Sequence, residues 1–509
     1  MPTDPAVNEP ARNSSLSGSP GVVHWLTLAL LIGTGLAARL LHLTSKPYWF
    51  DECFSVEVAR LNWPNFLHLL WWREANMSAY YVLLRLWLHL GHSEAFIRGL
   101  SVLISAATLP AIYWLGRLLF DRRVALIATA FLTVNAYHVR YAQEARSYAL
   151  FVLLATLSSA CLVAFLRSPE QRFRIAYVLA SVLAVYAHFY ALLLLLAQWL
   201  VVRCFGLPNG RSDIRPQLRS AWKIIGVAVA PLLIFVAKTG AGPIKWIPRP
   251  GLRQLAEFWE HLSGAVSWPV PVILAATCMA VLIPSGKRLL ARNQAWTVWR
   301  SQFLLMWLLF PPLFVFLLSF ARPLFLARYL ISCMPALLVL AAAGFARVRP
   351  SWLLAAALVG FLALSPQGVS FVYGNDFDNE RDAARAASNF ILDHSQPGDA
   401  IVFHIAETRI PFEFFRSLRP PSSEPTLQVL FPSHGSALDC RDFTGKPPVE
   451  LLEAQTPRFS RLWVMLMNNG TPEQPDATTL MMNRVLPGIF PKVEVWKFYR
   501  VEVRLYSKQ

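Results

Sequence analysis

The sequence predicts a polytopic α-helical membrane protein of about eleven transmembrane helices, with a small α/β domain after the last of them. Three observations predict it. Only 15% of the 509 residues are charged and 55% are hydrophobic, against roughly 25% charged in soluble domains. Apolar runs recur from Val22 to Val372 rather than forming one anchor, and mean hydropathy is +0.42. From residue 373 onward the long runs stop and short mixed segments take over. This composition excludes a soluble globular protein, a disordered chain, and collagen-like or disulfide-rich scaffolds. Lys and Arg number 47 against 30 Asp and Glu, a formal charge of +17. In a soluble chain that excess would suggest nucleic acid. In a membrane chain it points to cytoplasmic loops, membrane lipids and anionic phosphate ligands, so no nucleic-acid partner is expected.

Residues 1–21 are rich in Ser, Pro, Asn and Gly and lack a charged segment directly before the first apolar run. They read as a disordered cytoplasmic tail rather than a signal peptide. The membrane domain, 22–372, opens with a span from about Val22 to Leu43. Further apolar runs sit near 95–119, 124–140, 148–166, 174–188, 190–205, 221–238, 265–283, 302–320, 324–345 and 351–372. The shortest need a thin local bilayer.

Basic residues beside the spans set the orientation. Arg117, Arg122 and Arg123 form one cluster, Arg167, Arg172 and Arg174 a second, and Arg203, Arg211, Arg215, Arg219 and Lys223 a third. Lys287, Arg288, Arg292 and Arg300, then Arg347 and Arg349, continue the series at every second crossing. A multi-pass inner-membrane (plasma-membrane) protein follows, with its N-terminus in the cytoplasm and residues 373–509 outside. The first outer loop, 44–94, contains "SAYYVLLRLWLHL" (78–90). At 13 residues, interrupted by Arg85 and His89, it is too short to cross and reads as an interfacial amphipathic helix. "ECFSVEVARL" before it reads the same way.

In the C-terminal segment, "NERDAARAASNFILDHSQPGDAIVF" reads as a helix, a turn at Pro397, Gly398 and Asp399, and a strand. "RLWVMLMN" and "KVEVWKFYRVEVRLY" supply further strands, completing an α/β domain without a chemical motif. The six cysteines lack the paired spacing of zinc or redox motifs and read as small packing residues.

Candidate chemistry lies at the outer ends of the spans. Asp51 and Glu52 stand immediately after the first span; the pair suits acid–base work, and Asp51 is equally suited to cap the helix that follows. In "YHVRYAQEARSYAL", Arg140, Glu144 and Arg146 sit among tyrosines between apolar segments. Ionisable groups at that depth line a polar cavity or pair with one another. His188 falls at an outer turn, as a site residue or simply an interfacial one. Arg322 and Arg328 run against the positive-inside trend, and arginine forks suit phosphate oxygens.

Together "FDE", "AYYVLLRLW", "YAQEARSYAL", "AHFYALLLLLAQ" and "RPLFLARYLISCMPALL" resemble, in order over residues 22–372, the bacterial GT-C glycosyltransferases of the family 39, protein-mannosyltransferase-like group. That group includes the Rgt-type lipopolysaccharide sugar transferases and is related to the aminoarabinose transferase of lipid A. "RDAARAASNFILDHSQPGDAIVF" is similar to the start of their C-terminal region. The resemblance implies a GT-C fold and an inverting transfer of sugar from a polyprenyl-phosphate donor to an envelope glycan, lipid or protein. It implies Asp51 as catalytic base with Glu52 completing the pair, and Arg146, His188, Arg322 and Arg328 around the donor phosphate. Glu74 and Glu144 fall where relatives place carboxylates for Mg²⁺ or Mn²⁺. Many relatives carry His-Pro-Pro before the tyrosine pair, whereas this chain has Asn76, Met77 and Ser78. A polytopic transporter or lipid flippase is the alternative of a different class, and a glycan polymerase or ligase a third; sugar and acceptor stay open.

Overall fold

A computed structural model describes residues 21–208, 212–239, 247, 249–264, 268–282, 294–374, 379–420, 427–432, 445–467, 469–470 and 474–508. Tail residues 1–20 and the loop cations Arg211, Lys287, Arg288 and Arg292 lie outside the described residues. The chain begins with α1 (Val22–Leu40) and three short helices, α2 (Phe50–Arg60), α3 (Trp63–Trp72) and α4 (Ser78–Leu88). Next come α5 (Glu94–Leu119), α6 (Arg122–Val134), α7 (Ala136–Ala142), α8 (Tyr148–Arg167), α9 (Gln171–Ala187) and α10 (Ala191–Phe205). α11 (Arg215–Thr239), α12 (Leu252–Ser263), α13 (Pro269–Leu282) and α14 (Gln294–Leu318) follow. A 3-10 segment, Ala327–Cys333, runs into α15 (Met334–Phe345), and α16 (Ser351–Tyr373) closes the membrane part.

Among the described residues, seven helical segments are long and apolar enough to cross a membrane: α1, α5, α8, α11, α14, α16 and Ala327–Phe345. The chain is a multi-pass membrane protein. The remaining expected runs form the shorter helices α6, α9, α10 and α13, of 13, 17, 15 and 14 residues. The run at 124–140 breaks because Asn135 accepts a hydrogen bond from His138 N–H at 2.9 Å and caps a new helix, α7, as its short polar side chain favours. The sequence reading missed α12, although Leu252, Leu255, Phe258, Trp259 and Leu262 repeat at helical spacing.

α8 is buried almost all round and forms the axis of the bundle. Its small residues admit close neighbours. Ser158 Oγ meets Ser181 Oγ on α9 at 2.9 Å, and Gln198 on α10 donates to Ser158 and Ser159 at 3.3 and 3.2 Å. Gly344 on α15 is needed for the same reason, since a Cβ there would lie 2.0 Å from Thr277 O on α13.

The C-terminal domain comprises α17 (Asn379–His394), β1 (Ala400–Phe403), α18 (Arg409–Ser417), β2 (Gln428–Phe431) and α19 (Val449–Gln455). β3 (Arg461–Met467), α20 (Ala477–Val485), β4 (Lys492–Phe498) and β5 (Val501–Ser507) complete it. The sheet order is β2-β1-β3-β5-β4, parallel among the first three strands and antiparallel thereafter. The expected helix, turn and strand at 379–403 are present. The domain rests on the first loop: the Phe414 ring of α18 stacks on Tyr48 at 4.8 Å, and Arg385 of α17 pairs with Glu94.

Candidate functional site

α2 begins at the N-cap Trp49, whose side chain makes no capping bond. Asp51 and Glu52 therefore occupy the first helical turn, where the backbone dipole favours anions. Neighbouring helical residues diverge by about 100°, and these two carboxylates go to different places. Glu52 is fully buried and takes a fork from Arg98 of α5, at 2.9 Å from Nε and 2.8 Å from Nη2. Its Oε1 also accepts the Ala145 N–H at 2.9 Å. Arg98 donates in addition to the carbonyls of Leu43, Lys46 and Pro47. One buried ion pair thus ties together the entry to the first loop, α2, α5 and the turn that carries Arg146.

Asp51 faces the other way, with its side chain one-fifth exposed. Arg146 Nη2 lies 3.4 Å and Arg328 Nη2 4.0 Å from its Oδ2. Arg146 also donates to Asp51 O and Ser55 Oγ, each at 3.3 Å. Arg328 leans over the Trp49 and Tyr329 rings, 5.5 and 5.6 Å from their centroids. His188 sits at the end of α9 against Phe151, with ring centroids 4.9 Å apart. Its Nδ1 accepts the Tyr190 N–H at 3.2 Å, which leaves Nε2 to carry the proton of the neutral ring. That Nε2, Arg146 Nε, and the hydroxyls of Tyr81 and Tyr148 are all buried without a hydrogen-bond partner among the described residues. Each such donor costs about 1–3 kcal/mol; one belongs to Arg146 itself, and the other three lie in its electrostatic neighbourhood. The set is complementary to an anion rich in oxygen.

Glu74 follows α3, within electrostatic reach of Arg146 and Asp51. Loss of hydration, opposed by Arg146 and reinforced by Asp51, pushes its carboxyl up to about 7. Asn76 and Ser78, the positions that depart from His-Pro-Pro, fasten this turn to the end of α9. Asn76 Oδ1 accepts the Phe189 N–H at 3.1 Å, and Ser78 Oγ donates to Tyr186 O at 3.3 Å. Glu144 is buried and pairs with Arg140 at 3.5 Å. It lines a small open pocket with Lys46, Arg98, Arg140 and Gln143, but without Asp51, Arg146 or Arg328. No group of three or more His, Cys, Asp or Glu side chains suited to a metal occurs among the described residues. With Glu144 held by Arg140 and Asp51 flanked by two arginines, these residues do not fit a divalent cation. Arg322 is exposed and makes no hydrogen bond or ion pair to the cluster among the described residues.

Two arginines escaped the sequence reading. Arg98 anchors Glu52. Arg39, fully buried on α1, donates to Leu132 O and Thr133 O at the end of α6 and to His138 Nδ1. The signal was a single cation inside an apolar run, which needs internal partners.

Compared with solved structures, the chain is similar over 96% of its length to ArnT from Cupriavidus metallidurans in the apo state, covering 98% of that chain at a TM-score of 0.62 and 14% identity. The chain has the GT-C fold. ArnT from the same organism bound to undecaprenyl phosphate matches this GT-C chain over 95% of its length and 98% of that chain, with a TM-score of 0.59 and 12% identity. The arabinofuranosyltransferase AftD from Mycobacteria matches over 96% of this chain and 42% of that chain, at 0.51 and 15%. No family model and no curated protein sequence matches.

Proposed function

We propose that the protein transfers a sugar from a polyprenyl-phosphate donor to a hydroxyl group of an envelope glycan, lipid or protein, with inversion at the anomeric carbon. The observation that carries this reading is Asp51 held between Arg146 and Arg328, with unpartnered buried donors on Arg146 itself, His188, Tyr81 and Tyr148. Asp51 takes the proton of the acceptor hydroxyl as its oxygen bonds to the anomeric carbon. The bond from that carbon to the phosphate oxygen breaks, and its electron pair leaves with the carrier phosphate. Arg146, Arg328, His188 and Tyr148 meet the charge gathering on that phosphate. Glu52 is a positioning residue, because its carboxylate is spent on Arg98 and Ala145. The ArnT complex with undecaprenyl phosphate supports the lipid-linked donor.

Helix polarity supports an outer-facing site. α5 runs from Glu94 near the site to Arg117, α8 from Tyr148 to Arg167, and α9 from Gln171 back to His188. The basic clusters therefore lie at the helix ends away from Asp51, as retention of cations in the cytoplasm requires.

Arg328→Ala tests the donor site. Loss of one charged partner of a buried phosphate should weaken undecaprenyl phosphate binding by about 2–5 kcal/mol. Arg172→Ala, at the opposite end of α9, should leave binding unchanged. Equal affinities in the two variants, measured by titration in detergent, would remove Arg328 from the donor site.

A further inference from the structure

Helix α18 belongs to two cores at once. Phe412 packs into the C-terminal domain, its ring 5.3 Å from that of Phe403 on β1. Ile410, Phe414 and Phe415 are buried in the core of the membrane domain instead. Domains move against one another unless a hydrophobic interface holds them, and these three side chains supply one. Two polar contacts flank them: Arg60 Nη1 donates to Ser417 Oγ at 2.8 Å, and Arg385 pairs with Glu94. α2, the helix that carries Asp51, packs against α4 and α18, so part of its support comes from the C-terminal domain.

One of these contacts leads towards the site. The Phe414 ring stacks on Tyr48 at 4.8 Å and 25°, and the Tyr48 ring lies 4.4 Å from the Arg98 guanidinium. Tyr48 is fully buried, and its hydroxyl donates to Glu94 O at 3.0 Å. Arg98 holds the carbonyls of Leu43, Lys46 and Pro47 and the carboxylate of Glu52. A single guanidinium thus fixes residues 43–52 at four points, and it rests on a ring that Phe414 covers. Asp51 lies inside this segment. Arg146 and Arg328 reach it from other elements, the turn after α7 and the 3-10 segment before α15. The place of the base relative to the two cations therefore depends on how residues 43–52 are held.

We infer that Phe414, supplied by the C-terminal domain, is a positioning residue that sets Asp51 in the site by clamping Tyr48 onto Arg98. This rests on the transfer reaction proposed above. It gives the C-terminal domain a part in turnover without a side chain in the site.

The experiment uses the full chain in detergent, undecaprenyl-phosphate monosaccharides as donors, and envelope extract from a strain lacking the gene as acceptor, below the melting temperature of every variant. Phe414→Leu keeps apolar bulk but removes the ring from Tyr48. It should lower the rate at saturating donor and extract by about tenfold or more, as a displaced catalytic group does. Its affinity for undecaprenyl phosphate should stay within about twofold of the wild type, because Arg146 and Arg328 are held elsewhere. Phe412→Leu makes the same change on the side of α18 that faces its own domain, and Tyr48→Phe keeps the stacked ring; both should turn over like the wild type. Tyr48→Leu should lose rate as Phe414→Leu does, and the double variant should lose no more than the slower single one, since both changes cut one path. The inference is overturned if Phe414→Leu turns over normally, if it weakens undecaprenyl phosphate binding as much as turnover, if Phe412→Leu loses as much rate, or if the losses of Tyr48→Leu and Phe414→Leu multiply. A wild-type chain that releases carrier phosphate from no donor overturns the transferase reading itself, and this inference with it.

Discussion

Asp51→Asn should lower turnover by about 10²- to 10⁴-fold, the usual contribution of a positioned base, while tightening the binding of undecaprenyl phosphate. The two effects have opposite signs for a physical reason. The amide keeps the shape of the side chain but cannot take the acceptor proton. It also removes the negative charge that Arg146 and Arg328 face at 3.4 and 4.0 Å, leaving both cations to the phosphate. For a partly solvated pair the gain is on the order of 1 kcal/mol, a few-fold in Kd. A helix-cap role predicts neither effect, since asparagine caps as well as aspartate. Steady-state transfer and a binding titration on the same preparation separate the cases. Near-normal turnover in the variant would refute the base assignment.

Glu52→Ala should act on stability. It leaves Arg98, 1% exposed, as an uncompensated charge, and breaking one side of a buried pair costs about 3–5 kcal/mol. The variant should unfold at a clearly lower temperature or denaturant concentration than Asp51→Asn. The double variant Glu52→Leu with Arg98→Met should be less destabilised than the sum of the single changes, because no charge is then left unpaired. It should not recover fully, since Arg98 also satisfies the carbonyls of Leu43, Lys46 and Pro47. Additive losses would show that the pair carries no coupling.

The membrane class, the short helices of the first loop and the start of the C-terminal α/β domain were legible because each rests on local periodicity and composition. Asp51, Arg146, His188 and Arg328 were legible as candidates because ionisable groups at such depth are costly. Their partners were not. Asp51 meets Arg146 across 95 residues of chain, and no pattern in the sequence encodes that approach. Reading Asp51 and Glu52 as one acidic pair ignored the turn of the helix, which sends Glu52 into the core and Asp51 towards the cations. Arg39 and Arg98 were hidden inside runs read for hydrophobicity alone. The break at Asn135 was equally local, but a single polar residue in an apolar run looked like an interruption rather than a cap.

The most direct test of the central claim is the release of undecaprenyl phosphate by the purified protein. Given a panel of undecaprenyl-phosphate monosaccharides and envelope extract, in detergent and with no gradient or second compartment, the wild-type chain should release one carrier phosphate for each sugar joined to the acceptor. Asp51→Asn should not. The account is contradicted if no donor yields carrier phosphate while the same protein, in sealed vesicles, moves labelled lipid or solute from one leaflet or compartment to the other.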